Sequence, residues 1–374
     1  MAKQVQAADS IFSASKLFQH GRVRRYDWDK DGDEVLGIYP ITLEIGASGP
    51  KNCPHSCNFC MHGDYYNMAA NMSPDLYKKI INEVTSYESS KRPKSVIFSS
   101  SGESTVNKNI VEMLKYTKNS GLDQSLVTNG WGWVNRKKRE GLVETVLDNV
   151  SWTRTSLNAG THQTRYNIHG VGDFEQVLDG LTYLARQKKE RESNCHIGAQ
   201  IVVTDENFHE IVGATKLVKE TGIDYFQIKP VVFHPLGGKP QLSKDFWENV
   251  MNISRVAENL YEDKGFKVFV KDDQFGAMMK SNYDQGSYDI CRATFFPIIE
   301  ADGTVFHCSQ TRGMPEFELG NLTNQTFKDI WEGNRRKEVV KKIDPSKCQP
   351  VCRGHFNNKL LNTIVHDGNA KNFV

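Results

Sequence analysis

The chain has 374 residues, more than one small hydrophobic core normally uses, so a large domain with an appendage or two ordinary domains are expected. Its 47 Lys and Arg nearly balance its 45 Asp and Glu, and the net charge of +2 argues against nucleic acid or an anionic membrane as the partner. Hydrophobic residues make up 38% and charged residues 25%, as in ordinary enzymes, and no run approaches the ~18 apolar residues of a membrane span.

The N-terminal residues and the cysteines indicate the compartment. No long apolar run follows Met1, so no signal peptide is predicted and a cytoplasmic location is expected. Eight cysteines in a long intracellular chain favour metal binding or redox catalysis over a disulfide framework.

Short β-rich runs alternate with amphipathic helical stretches up to about Leu260. The predicted strands are Tyr39–Ile45, Ser95–Ser100, Ser125–Thr128, Ser151–Leu157, Ile197–Thr204 and Tyr225–Val232. The predicted helices are Pro74–Tyr87, with Ser73 as the N-cap, then Asn109–Lys118, Glu140–Leu147, Phe174–Arg186, Phe208–Glu220 and Phe246–Leu260. This alternation predicts an α/β fold with a parallel sheet and helices outside, and it leaves a barrel and an open sheet as alternatives.

The alternation stops after Leu260, and hairpin signals follow. Asp302-Gly303 separates two β-rich runs, 295–300 and 304–307, which predicts a β-hairpin. The segment from about 267 to 353 contains four of the eight cysteines. A second, smaller domain is predicted there.

Three cysteines, Cys53, Cys57 and Cys60, lie on the loop after the first predicted strand. Three thiolates on a short loop suit an iron–sulfur cluster or zinc. Structural zinc sites usually take four ligands in paired knuckles, and no local partner pair is present here. A cubane cluster held by three cysteines leaves one iron open to a substrate.

This Cys-x3-Cys-x2-Cys spacing, with the aromatic Phe59 before the last cysteine, resembles the radical S-adenosylmethionine (SAM) superfamily. The resemblance implies a partial (βα)6 barrel in which SAM chelates the open iron of a 4Fe-4S cluster. It also implies that an electron from the reduced cluster cleaves SAM to methionine and a 5′-deoxyadenosyl radical, which abstracts a hydrogen atom from the substrate. The implied protein partner is an electron donor such as flavodoxin or ferredoxin.

Further segments match the superfamily in chain order, each at the end of a predicted strand or soon after it. Ser101-Gly102-Glu103 stands where the family carries Gly-Gly-Glu, with Ser101 as a departure, and would accept hydrogen bonds from the SAM ammonium. By the same resemblance, other residues would contact the ribose, the carboxylate or the adenine of SAM. These residues are Thr128, Asn129, Ser156, Asn158, Phe59 and the basic residue Arg165, with His169 as the weaker alternative to Arg165.

The second cysteine group comprises Cys291, Cys308, Cys348 and Cys352. The Cys-x11-Gly-x4-Cys spacing of its first pair resembles the opening of the SPASM/twitch auxiliary domains of this superfamily, and residues 317–331 resemble the segment that follows. Four cysteines imply the twitch version, with one fully ligated 4Fe-4S cluster that transfers electrons. A four-cysteine structural zinc site is the alternative.

Polar residues that strand patterns direct toward the barrel are the substrate candidates. Lys229, at the end of the sixth strand, is the main candidate to anchor a phosphate, carboxylate or hydroxyl cluster and to assist deprotonation. The others are Arg154, Gln200, Gln227, His234, His62 and Tyr65, while His307 is expected to support Cys308. Cys195 precedes the fifth strand and is expected to be a buried thiol away from the chemistry, which weighs against epimerisation.

The predicted organisation is an N-terminal extension (1–38), a radical SAM partial barrel (39–262), a twitch/SPASM-like α+β domain (263–356) and a C-terminal tail (357–374). The predicted function is dehydrogenase-like oxidation of a small polar substrate (a sugar, aminocyclitol or nucleotide-linked carbohydrate), with the auxiliary cluster as electron acceptor. The alternatives are a peptide-modifying or maturase enzyme and a redox-neutral carbohydrate epimerase or lyase. A non-catalytic zinc or electron-transfer protein is the alternative from another class.

Overall fold

The computed structural model describes residues 38–60, 66–99, 101–233, 242–280, 288, 290–291, 296–348, 351–352, 354–355 and 357–359. Within these ranges, no helix combines the length and the apolar character that crossing a membrane requires.

Ten strands in the described part of the chain form one sheet. They are β1 (Thr42–Ile45), β2 (Ser95–Phe98), β3 (Asp123–Thr128), β4 (Trp152–Ser156), β5 (His196–Val203), β6 (Tyr225–Pro230), β7 (Lys267–Val270), β8 (Ile298–Ile299), β9 (Thr304–Phe306) and β10 (Gly320–Asn321). The order across the sheet is β10-β9-β8-β1-β2-β3-β4-β5-β6-β7. Strands β1 to β7 pair in parallel, so their carboxyl ends meet along one edge.

The described helices follow the strands in alternation. They are α1 (Pro74–Ser86), α2 (Ile110–Asn119), α3 (Trp131–Val134), α4 (Leu142–Asn149), α5 (His162–His169), α6 (Phe174–Glu190), α7 (Ile211–Glu220), α8 (Lys244–Tyr261), α9 (Asp272–Met279), α10 (Phe327–Glu332) and α11 (Asn334–Lys342). Helix α1 begins as predicted, because Ser73 accepts a hydrogen bond from the backbone N–H of Leu76. The alternation and the parallel pairing confirm the predicted α/β fold.

Apolar residues of the strands and the helices form one buried cluster. It includes Leu126 of β3, Ile201 of β5, Ile81 of α1 and Leu181 of α6, each fully buried. The helices therefore cover one face of the sheet, as a partial barrel requires.

The sheet contains a parallel strand, β7, that the sequence does not predict. Strand β7 pairs with β6 from Tyr225–Lys267 to Ile228–Val270, inside the segment assigned to the smaller domain. Its four residues are too few to show a period, and lysines 267 and 271 stand at its start and just past its end. The strand is recognisable only beside its partner.

The predicted hairpin is present and joins the same sheet. Strand β8 pairs in parallel with β1, and β9 returns antiparallel to β8. Gly303 in the turn has φ +87°, a conformation that favours glycine. The domain boundaries at 38, 262 and 356 stay a prediction, and the C-terminal hairpin extends the edge of the barrel sheet.

Candidate active site

A cavity of about 390 Å³ lies at the carboxyl ends of the parallel strands. Fourteen of the residues singled out from the sequence line it, and they come from the cysteine loop, from strands β3 to β6 or the segments that follow β2 to β4, and from the end of helix α5. These are Cys53, Cys57, Phe59, Cys60, Ser101, Gly102, Glu103, Thr128, Asn129, Ser156, Asn158, His169, Gln200 and Lys229.

The cysteine loop rests on the end of helix α5. The backbone N–H groups of Ser56 and Asn58 donate to the carbonyl oxygens of His169 and Ile168, at 3.0 Å each. Carbonyl groups in the last turn of a helix have no partner within the helix, so the loop satisfies them. Gly170 ends α5 with φ +71°, and a Cβ at this position would overlap Ser56 Oγ. Glycine therefore lets the loop approach the helix closely.

Glu103 is held between the ends of β2 and β3. One carboxylate oxygen accepts from the backbone N–H and the hydroxyl of Thr105, at 3.0 and 2.6 Å, and from the hydroxyl of Thr128 at 2.8 Å. The other oxygen accepts from the backbone N–H of Asn129 at 2.7 Å. Glycine is required at position 102, because a Cβ there would overlap the carbonyl of Gly49. The acidic group is thus preorganised in the wall of the cavity.

The ends of β3 and β4 contribute amides and a hydroxyl. Asn129 Nδ2 donates to Cys53 Sγ over 3.6 Å. Ser156 Oγ accepts from Gln200 Nε2 at 2.9 Å, and Asn158 adopts a positive φ of 58°. Polar groups on neighbouring strands therefore face the same cavity as the cysteine loop.

Arg165 lies behind this wall and not in the lining. Its guanidinium donates to the carbonyl oxygens of Ser156 (2.7 Å), Leu157 (2.8 Å) and Asn129 (2.9 Å), and its Nε donates to Asp173 Oδ1 at 2.9 Å. The side chain is fully buried. Arg165 therefore ties the strand ends together, and this packing disfavours its predicted contact with the SAM carboxylate.

The four C-terminal cysteines come together. Burial, and then the neighbouring Cys352 and Cys291, raise the pKa of the Cys308 thiol to about 12. Burial likewise raises the pKa of Cys348 to about 12, with Cys352 and Cys308 as the next causes. The thiols of this group thus influence one another electrostatically.

Hydrogen-bond donors contact three of these sulfurs, those of Cys291, Cys308 and Cys352. Backbone N–H groups of Gln310 and Gly354 donate to Cys308 and Cys352, at 3.3 Å each. The Asn358 amide donates to Cys291 over 3.4 Å. The surroundings suit thiolates that carry negative charge.

The remaining candidates fall into three groups. Arg154 and Gln227 are not part of the cavity lining, and Arg154 lies over the Trp152 ring at 5.3 Å. His307 is buried, and neither ring nitrogen has a hydrogen-bond partner among the described residues. Residues outside the described part of the chain are His62, Tyr65 and His234.

Two family models match this chain. The model described as the radical SAM superfamily covers residues 49–218, and the SPASM model, described as an iron–sulfur cluster-binding domain, covers residues 291–355. The first range contains the cysteine loop and the second contains all four C-terminal cysteines. The chain belongs to the radical SAM superfamily. Its cofactors are accordingly SAM, a 4Fe-4S cluster and an auxiliary iron–sulfur cluster.

Two curated relatives resemble this enzyme over most of its length. The AdoMet-dependent heme synthase of Methanosarcina barkeri is 24% identical over 336 residues, which is 83% of this chain and 86% of the relative. A tungsten-containing aldehyde ferredoxin oxidoreductase cofactor-modifying protein of Pyrococcus furiosus is 22% identical over 79% of this chain and 81% of its own.

Solved structures show the same fold at lower identity. SuiB of Streptococcus suis, bound to S-adenosylmethionine, superposes with a TM-score of 0.62 at 16% identity, covering 82% of this chain and 68% of its own. The anSMEcpe structure with bound AdoMet gives 0.58 at 17% identity, covering 81% and 83%.

The cysteines of this radical SAM enzyme fit clusters better than single zinc ions. Four sulfurs around one zinc lie about 3.8 Å apart, given Zn–S bonds of about 2.3 Å. Among the described residues, the sole group of three ligand atoms within 4.8 Å of one another is His55, Cys57 and His169. In neither cysteine group, therefore, do three sulfurs lie as close together as a single zinc ion would require. Burial, and then the neighbouring Cys60 and Cys53, raise the pKa of the Cys57 thiol to about 12. The positive charge of bound iron would offset this rise and stabilise the thiolate.

Sequence reasoning missed the residues that the C-terminal segment contributes to the cavity. Ser309 and Gln310 follow Cys308, Val351 precedes Cys352, and Gln274 comes from α9. For Ser309, Gln310 and Val351, adjacency to the auxiliary cysteines was the available signal. The sequence does not show that the segments around Cys308 and Cys352 line the cavity.

Proposed function

We propose that this radical SAM enzyme oxidises a small polar substrate that carries an acidic group, with the auxiliary cluster accepting the electron. The observation that carries the proposal is a single cavity lined by Cys53, Cys57 and Cys60 and also by Ser309 and Val351, the chain neighbours of Cys308 and Cys352. A molecule in this cavity would contact the loop of the SAM-binding cluster and residues adjacent to two auxiliary cysteines. A volume of about 390 Å³ suits a small ligand.

Lys229 supports an acidic group on the substrate. Of the lining residues that the structure describes, it alone is a lysine or arginine. An ammonium group attracts a carboxylate or phosphate, and the same lysine is a candidate to take the proton released on oxidation. Nucleotide-linked and phosphorylated sugars, within the predicted carbohydrate class, carry such a group.

When bound, SAM and its reduced cluster supply the radical that removes a hydrogen atom from the substrate. The proposed task of the chain is to position both ligands. Ser101, Gly102 and Glu103 offer acceptors for the SAM ammonium, and Phe59 and Val202 supply apolar surface. Lys229 and Gln200, which line the same cavity, would orient the substrate.

The named activities of the relatives support a small-molecule substrate, since those proteins act in heme synthesis and in modification of a cofactor. Peptide modification is the second candidate. Its support is that SuiB and anSMEcpe were solved with bound peptides.

The redox-neutral alternative has less support in the cavity. An epimerase needs a hydrogen-atom donor, and the described lining contains no tyrosine and no cysteine besides the three of the first loop. Cys195 is buried just before β5, at the amino-terminal end of the strands, and so lies away from the cavity.

The test is 5′-deoxyadenosine formation by the reduced, anaerobically reconstituted enzyme with SAM. Pools of acidic metabolites, including sugar phosphates and nucleotide sugars, are compared with neutral sugars and with peptides. We expect stimulation above the substrate-free background by the acidic pool. Stimulation by peptides alone would contradict the proposed substrate and favour the second candidate.

A Lys229→Met variant tests the role of the lysine. We expect the substrate-dependent increase to fall at least tenfold, about 1.4 kcal/mol of transition-state stabilisation, while substrate-free SAM cleavage persists. Lys229→Arg keeps the charge and should retain part of the increase. Equal stimulation in the wild type, Lys229→Met and Lys229→Arg would show that Lys229 does not bind the substrate.

A further inference from the structure

Two histidines lie beside Cys57, and one of them, His169, also lines the cavity. The Nδ1 atom of His169 is 3.2 Å from Cys57 Sγ and 3.1 Å from Nδ1 of His55. The two rings meet edge to face, with centroids 5.2 Å apart, and His169 is 1% exposed. Whether His169 donates a hydrogen bond to the sulfur depends on which ring nitrogen carries the proton.

The groups around Nε2 of His169 determine which ring nitrogen carries the proton. Asn158 Nδ2 and Arg165 Nη1 each lie 3.1 Å from Nε2 of His169. A guanidinium only donates, and the Asn158 amide is oriented because its oxygen accepts from the backbone N–H of Val202 at 2.9 Å. The two hydrogens of Arg165 Nη1 go to the carbonyl oxygens of Ser156 and Leu157, which are closer. The oriented Asn158 amide donates to Nε2, so Nε2 is the acceptor and the proton of the neutral ring is on Nδ1.

His55 offers a competing acceptor. Its Nε2 lies 3.4 Å from Asp173 Oδ2, and a carboxylate only accepts, so Nε2 of His55 carries the proton and its Nδ1 does not. The Nδ1–H group of His169 therefore points between two acceptors, Cys57 Sγ and His55 Nδ1. Asp173 also accepts from Arg165, which fixes the whole arrangement.

A single metal ion is the alternative occupant, because the ligand atoms of His55, Cys57 and His169 all lie within 4.8 Å of one another. A histidine that binds a metal through Nδ1 carries its proton on Nε2. In His169 that proton would meet the amide donor of Asn158 and lie beside the positive charge of Arg165. The group therefore fits a hydrogen bond and not a metal site.

We propose that His169 is a positioning residue for the SAM-binding cluster, and that its Nδ1–H donates to the Cys57 sulfur and raises the reduction potential of that cluster. The inference rests on the proposed role of Cys57 as a cluster ligand. Hydrogen bonds to ligand sulfurs stabilise the reduced cluster, which carries more negative charge. His55 moderates the effect because it competes for the same proton.

The experiment is a redox titration of the reconstituted holoenzyme without substrate, following the EPR signal that SAM perturbs. His169→Gln keeps an acceptor at the place of Nε2 but no donor at Nδ1. At a fixed solution potential we expect the ratio of reduced to oxidised cluster to fall about tenfold. For a one-electron couple this means that the reduction potential falls by about 59 mV. His169→Asn places an amide donor near Nδ1 and should shift the potential less.

His55→Phe is the opposing variant. It removes the competing acceptor, so the potential should rise above that of the wild type. A purely structural role would lower the iron content in all three variants without moving the potentials in opposite directions. Unchanged potentials in loaded variants would overturn the proposal, as would zinc bound in addition to iron and lost in His169→Gln. Because no substrate is used, failure to turn over any metabolite would contradict the proposed function alone.

Discussion

Cys53, Cys57 and Cys60 are the residues on which SAM cleavage is predicted to depend. A triple alanine variant removes every protein ligand of the SAM-binding cluster while leaving the four C-terminal cysteines intact. We expect 5′-deoxyadenosine formation to vanish and the iron content to fall to about half. Anaerobic reconstitution, iron analysis and chromatography of the SAM products measure both.

Cys195→Ala is the matched control for that variant. Burial raises the pKa of the Cys195 thiol to about 12, and the residue lies away from the cavity, so the variant should retain cluster loading and SAM cleavage. Retained SAM cleavage in the triple variant would overturn the assignment of the cluster loop.

At the scale of elements, the contact between α5 and the cysteine loop gives a second prediction. Gly170→Ala introduces a Cβ at φ +71° that overlaps Ser56 Oγ. We expect a loss of stability of about 1 kcal/mol from the backbone and, in addition, a lower iron content because the loop is displaced. Urea unfolding and iron analysis measure the two effects separately.

Gly141→Ala is the control, since Gly141 has φ +73° but no atom within 4 Å of an added Cβ. It should show the backbone cost with normal iron loading. Equal iron contents in the two variants would mean that the close approach of Ser56 does not hold the loop in place.

Helix α5 also shows where prediction from sequence stops. Its eight residues are mostly polar and lack a clear apolar period, so the pattern that revealed α1 and α6 does not appear. Its end signals were readable: Thr161 accepts from the backbone N–H of Thr164, and Gly170 follows the last residue. Those signals were not enough, because the helix is stabilised by the strand ends that Arg165 ties together.

At the scale of the whole molecule, a buried ionic group joins the C-terminal segment to β1. Arg312 contacts Glu44 at 2.8 Å and Glu300 at 2.6 Å, and Glu300 accepts from Ser101 Oγ at 2.9 Å. All three charged side chains are almost fully buried. The segment that contains the auxiliary cysteines is thereby fixed against the SAM motif.

Arg312→Met is predicted to destabilise the protein by about 3–5 kcal/mol, because two buried carboxylates lose their cation. Burial raises the pKa of Glu300, so its ionised form is penalised in the folded state, and that penalty is relieved as the pH falls through the folded pKa. Arg312 lowers this pKa, so its removal should make the regain of stability on lowering the pH from about 8 to about 6 larger in the variant than in the wild type. Urea unfolding midpoints at both values measure this.

Arg191→Met, which breaks the exposed pair with Asp148, is the control and should leave the midpoint nearly unchanged at either pH. A similar small effect for Arg312→Met would show that the ionic group does not join the two parts of the chain.

The sequence by itself determined the fold class, the superfamily, both cysteine groups and most of the cavity lining. These depend on local information: strand and helix periods, and spacings within single loops. Only the tertiary structure decided that β7 joins the sheet, that Arg165 lies behind the strand ends, and that Ser309 and Val351 line the same cavity as Cys53. Such facts depend on contacts between residues far apart in the chain, and no local spacing specifies which distant groups share a cavity.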